Sequence, residues 1–99
     1  MAGVGEDRIS IDKLTGKNYS TWKFKLRHWL IAKELWDYVE GTATLPAIDA
    51  TAEVKTAYNK KANQAMSIIV LSVSDNLLYL ITSCNTPKSA WDTPRQHFE

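Results

Sequence analysis

The sequence predicts an all-α fold, a compact bundle of about five helices behind an extended N-terminal arm. Three observations predict it. Apolar residues recur at helical spacing through every long segment. Cap-forming residues stand ahead of these segments, at Asn18 or Ser20, at Asp49 or Thr51, at Ser74 and at Thr86. Alternating apolar and polar residues occur only around Ile9, Ile11 and Leu14, too short a stretch for a strand.

The elements follow in order. Residues 1–8 are small, polar and Gly-containing and are expected to be disordered; residues 9–99 form a single domain. Ile9, Ile11 and Leu14 read as an arm packed on the body. Gly16, Lys17 and Asn18 make a turn into the first helix, where Trp22, Leu26, Trp29 and Leu30 form one apolar stripe about 100° wide. Glu34 to Val39 reads as a short second helix ended by Gly41. A loop containing Pro46 follows, and then a helix from about Ala50 to Val73. Its core stripe is Val54, Tyr58, Ala62, Ala65, Ile69 and Val73, and from Ile68 to Leu71 it is apolar on all sides, as in a centrally buried helix. Ser74 starts a shorter helix through Cys84. Thr86 caps the last, with Pro87 at its first position, where a missing N–H does no harm. Ala90, Trp91 and Phe98 supply its apolar side.

Length and composition exclude several classes. Ninety-nine residues make one small domain, which by area scaling buries roughly 65% of its unfolded surface. No apolar run approaches the roughly 20 residues of a membrane-spanning helix, and residues 1–10 lack a secretory h-region. A net charge of +1 argues against a dedicated nucleic-acid binder. One cysteine, Cys84, excludes an internal disulfide and points to a reducing, cytoplasmic location. With only His28 and His97 beside it, no metal constellation assembles, and no cofactor is expected.

Catalysis finds no support. Cys84 has neither a Gly-rich elbow nor a base at a characteristic spacing. Gly3-Val4-Gly5 lacks the flanking strand and helix of a phosphate loop. Lys23, Lys25 and Arg27, with Lys17, Lys33 and the Lys60-Lys61 pair, are candidate phosphate contacts for a weak RNA-binding module. The tryptophans interleaved with them sit on the core stripe, where burial competes with base stacking.

Four Trp, four Tyr and two Phe exceed what a bundle of this size needs to close its own core, so part of the surplus is expected at a contact with another chain. Phe24 lies off the first stripe; it, Trp29 and Tyr38 are the candidate interface residues. Charge is uneven along the chain: seven bases and three acids in residues 1–33, five acids and no base in 34–54, five bases and three acids in 55–99. Such blocks are either solvated faces or complementary patches that orient neighbouring copies.

Leu14-Thr15-Gly16-Lys17-Asn18-Tyr19-Ser20-Thr21-Trp22, followed by Lys23-Phe24-Lys25-Leu26 and by Leu35-Trp36-Asp37-Tyr38-Val39, resembles the N-terminal signature of Gag polyproteins from copia-type LTR retrotransposons. That signature reads L/F-x-G-x-N-Y-x-x-W, then a helix, then a Leu-Trp pair near a Gly. Thr86-Pro87-Lys88-Ser89-Ala90-Trp91-Asp92, with His97-Phe98-Glu99, is similar to the family's T-A-K-E-A-W-D-x-L and following F/Y-E. The resemblance implies a domain like the N-terminal lobe of a retroviral capsid, non-enzymatic and assembling with itself. It implies a turn at Gly16, a helix cap at Asn18, Tyr19 and Trp22 locking the arm, and Trp36 and Trp91 as core anchors. RNA would be met by other parts of a longer polyprotein, since the chain stops before any zinc knuckle. The alternative is a monomeric, domesticated adaptor that binds a peptide. Pro94 departs from the family's Leu and removes a helical bond to the Ala90 carbonyl, so the last helix is expected to end or kink near Thr93, unless the copy is degenerate or domesticated.

Overall fold

The computed structural model describes residues 11–99. The expected disorder of residues 1–8, the part of the arm at Ile9 and the Gly3-Val4-Gly5 stretch lie outside the described residues. Among the described residues five helices follow one another: α1 (Tyr19–Ala32), α2 (Trp36–Glu40), α3 (Ala52–Leu71), a 3₁₀ helix (Asp75–Leu80) and α4 (Pro87–Phe98). The only extended pairing among the described residues is a parallel bridge between Leu14 and Val73. α3 packs on α4 and α2, α2 on α4, and α1 on α2.

Entry into α1 depends on a closed turn. Gly16 takes φ +94°, the left-handed region open to glycine. Asn18 stands at the N-cap, but its side chain serves the turn instead of the helix. Its Oδ1 accepts from the Thr15 amide at 2.9 Å and the Thr15 hydroxyl at 3.1 Å, and its Nδ2 donates to the Lys13 carbonyl at 3.0 Å. Tyr19, Trp22, Leu26 and Leu30 are the buried residues of α1. Tyr19 thus takes the place expected of Trp29, which lies at the edge of the stripe and is half-buried.

α1 ends where no glycine announces it. Glu34 adopts φ +61°, its amide donates to the Ile31 carbonyl, and the Leu35 amide reaches back to the Leu30 carbonyl at 2.8 Å. This is a Schellman closure with glutamate in the left-handed position. It delays α2 to Trp36, two residues later than the periodicity suggests. Gly41, at φ +90°, ends α2 as expected.

Thr51 caps α3 by accepting from the Val54 amide at 3.2 Å. The expected stripe outruns its partners. Residues 52–57 are all exposed, Val54 included, and Tyr58 is half-buried; burial begins in earnest at Ala65 and Ile69. Nor is the far end buried all round, because Leu71 is 69% exposed. The segment after Ser74 is 3₁₀ and stops at Leu80, short of Cys84. The Ser74 hydroxyl, expected as its cap, donates to the Leu14 carbonyl at 2.6 Å. α4 opens with a capping box between Thr86 and Ser89. It then runs through Pro94 to Phe98 instead of ending at Thr93, and the proline ring is fully buried.

The C-terminus of α3 is where the arm, α1 and α3 meet. Ser72 is 2% exposed, so its backbone groups need partners inside the protein. Its carbonyl accepts from the Leu14 amide and from the Trp22 indole, each at 2.9 Å, using both lone pairs. Leu14, at 0% exposure, is thereby fixed against Val73. From Trp22 a line of rings runs through the core: Trp22 stacks on Trp91 with centroids 5.7 Å apart, Trp91 meets Trp36 edge-on at 5.1 Å, and on the other side Tyr19 links Trp22 to Phe98. Three of the four tryptophans join α1, α2 and α4 in this way.

Replacing the indole by a phenyl ring, Trp22→Phe, should lower the unfolding free energy by about 2 kcal/mol, from one lost buried hydrogen bond and a smaller ring. Ser72→Ala removes the hydroxyl's bond to the Ile69 carbonyl and its longer contact with the Trp22 indole at 3.3 Å, but keeps the indole's bond to the Ser72 carbonyl at 2.9 Å, and should cost about 1 kcal/mol or less. Urea unfolding measures both, and the reverse order would contradict the role given to the Ser72 carbonyl.

Candidate protein-contact surface

The residues of the Gag-like motifs occupy the interior and its margin. Trp22 is 1% and Trp91 7% exposed. Trp36 is half-buried, with the Arg27 guanidinium 5.1 Å from its ring centroid. Gly16 sits 3.6 Å from the Phe98 ring, measured from where a Cβ would stand, so the turn also covers the end of α4. The Tyr19 hydroxyl is buried with no hydrogen-bond partner among the described residues. Burial first, and then the negative charge of Glu99, push its pKa up to about 12.

Of the three candidate interface residues the structure brings two together. Phe24, 65% exposed, and Trp29 share a shallow apolar groove with Ile11, Lys25, His28 and Ala32. His28 meets Phe24 edge-on at 4.8 Å. The Trp29 indole N–H is buried without a partner among the described residues, and the Lys33 ammonium lies 5.3 Å from the ring centroid. Tyr38 is elsewhere. It packs on Tyr58 at 5.1 Å and lines a second groove, under the loop that carries Leu45 and Pro46.

That loop is the surface that the reading of the sequence missed. Ile48 is 93%, Leu45 71% and Val54 50% exposed. Leu45 and Ile48 had no helical stripe to flag them, and Val54 was assigned to the core. Their signal was an apolar pair in a loop otherwise made of small and polar residues.

The candidate phosphate contacts do not converge. Lys23 pairs with Glu99 at 2.7 Å beside the Tyr19 ring, and Arg27 lies over Trp36, one turn further along. Lys25 projects from another side of α1, in the groove with Phe24. Chemistry is no more concentrated: the Cys84 thiol lies 3.5 Å from the Thr93 hydroxyl, while His28 is beside Phe24 and His97 beside Phe98. Among the described residues no group of three or more His, Cys, Asp or Glu side chains is placed to hold a metal ion, and no helix is long and apolar enough to cross a membrane.

The chain, helical with three of its four tryptophans in the aromatic line, also matches a known family by sequence. The family model for the gag polypeptide of LTR copia-type elements matches residues 26–99. The chain belongs to that family. No curated protein and no solved structure matches it. The matched stretch of this Gag chain contains the Leu35–Val39 and Thr86–Asp92 motifs; the Leu14–Trp22 motif precedes it, although Leu14 and Trp22 are among the most buried residues.

An orphaned buried hydroxyl costs free energy, so Tyr19→Phe should leave stability unchanged or raise it slightly at neutral pH. Because the folded pKa lies above the ordinary value of 10.0, the folded state holds the phenolic proton more tightly than the unfolded chain does. That contribution is complete below pH 10 and is lost as pH rises toward about 12. Unfolding titrations from pH 9 to 12 should therefore show a steeper alkaline loss for the native protein than for Tyr19→Phe.

Proposed function

We propose that this Gag chain is a non-catalytic, capsid-type structural lobe that acts in the cytoplasm through contacts with other protein chains, first of all with copies of itself. The observation that carries the reading is the division of its apolar side chains. The aromatic line and the Leu14–Val73 junction complete a core, yet Phe24, Leu45, Ile48, Leu71 and Tyr79 are each more than 60% exposed. Large aliphatic and aromatic side chains left outside a finished core mark association surfaces. Family membership supports the non-catalytic part of this reading, since the gag polypeptide family is structural. RNA binding by this lobe has less in its favour, because Lys23 and Arg27 are engaged within the chain and Lys25 points elsewhere.

Light scattering coupled to gel filtration over a wide concentration range tests the proposal. A mass that rises with concentration is expected. A strictly monomeric species at the highest concentration would overturn self-association and favour the peptide-binding adaptor.

A further inference from the structure

Two of the exposed apolar surfaces are opposite in shape and in charge. α1 carries a second stripe turned away from the core: Phe24, His28 and Ala32 recur at i, i+4 and i+8, with Trp29 beside them. With Ile11 and Lys25 they line a groove of about 350 Å³. The other surface protrudes. Between α2 and α3 the chain turns through a bond from the Ala50 amide to the Ala47 carbonyl at 2.9 Å, and Lys55 Nζ donates to the Ile48 carbonyl at 2.8 Å. The loop is thus held in one shape with Leu45 and Ile48 projecting from it.

The charges divide along the same line. Residues 13–33, which contain the groove helix, carry six Lys or Arg and no acid. Residues 34–54, which contain the loop, carry five Asp or Glu and no base. Lys25 stands in the groove; Asp49 and Glu53 flank the loop and are exposed. No ion pair within the chain engages these three among the described residues.

We infer that the groove on α1 of one copy receives the Leu45–Ile48 loop of a second copy, with Lys25 facing Asp49 and Glu53 of that copy. This rests on the self-association proposed above and names its surfaces. Apposing two grooves would set Lys25 against Lys25, and apposing two loops would set Asp49 against Asp49; like charges at a contact are unfavourable. Groove against loop satisfies both shape and charge. Such a contact is heterologous and propagates: each copy keeps one groove and one loop free for the next, giving a ring or a filament instead of a closed pair.

Sedimentation velocity on the full chain distinguishes the outcomes. Phe24→Asp disables the groove and Ile48→Asp the loop; both positions are exposed, and circular dichroism checks that each variant keeps its helices. Each alone should associate at least about tenfold more weakly than the unaltered chain, as for a central contact residue. Their equimolar mixture should recover a heterodimer and nothing larger, because one intact groove meets one intact loop. Should Phe24→Asp not fold, Lys25→Glu paired with the double variant Asp49→Lys, Glu53→Lys tests the same contact: weakened apart and restored together, here to the full assembly because both mixed contacts pair opposite charges. Variants that associate like the unaltered chain would overturn the inference and leave self-association standing through another surface. Loss in both without recovery on mixing would overturn the heterologous geometry. An unaltered chain that never associates would overturn the proposed function itself.

Discussion

One backbone carbonyl organises this fold. A helix that ends inside a protein leaves carbonyls without helical partners, and at the end of α3 the Ser72 carbonyl is buried. The arm and α1 supply its two donors, the Leu14 amide and the Trp22 indole. Neither donor is close in sequence, so satisfying one carbonyl ties three distant segments together. Leu14 is carried into the core as a consequence, and Trp22 is held at the angle from which it stacks on Trp91. α4 and, through it, α2 are then aligned on α1 by stacked and edge-on rings.

The same constraint sorts the aromatic residues into two populations. Trp22, Trp36 and Trp91 are held in the interior line, and Tyr19 and Phe98 extend it to the chain's C-terminus. Trp29 and Phe24 are left on the outer side of α1. Rigid rings inside give a small domain a core large enough to be stable, while aliphatic and aromatic side chains outside remain available for partners. This division of labour is what the proposed capsid-type lobe requires.

Much of the fold was legible in the sequence, for identifiable reasons. The stripe of α1, the Gly41 stop and the Thr86-Pro87 start are local signals, and local chemistry decided them. Helix ends set by non-local or unusual chemistry were not legible. Glu34 closes α1 in a conformation that favours glycine, and the Ser74 hydroxyl is drawn from its helix to the arm. Pro94 is tolerated inside α4, where its ring is buried, although local propensity argues for a stop. The exposure of Val54 was hidden because periodicity states which residues share a face, not how far the neighbouring helices reach. Phe24 was legible from its departure from the core stripe, whereas spacing put Trp29 on that stripe and only its aromatic character near the arm and the short helix marked it for a contact; the loop of Leu45 and Ile48 had no period to reveal it.

Native-state hydrogen exchange followed by NMR tests most directly whether the Ser72 carbonyl joins the arm and α1 to the core. The Leu14 amide and the Trp22 indole N–H should exchange as slowly as the Ile69 amide within α3, through global unfolding alone. Fast exchange at Leu14 and the Trp22 indole, with Ile69 still protected, would mean that the arm and the indole are dispensable to the core and would contradict the account.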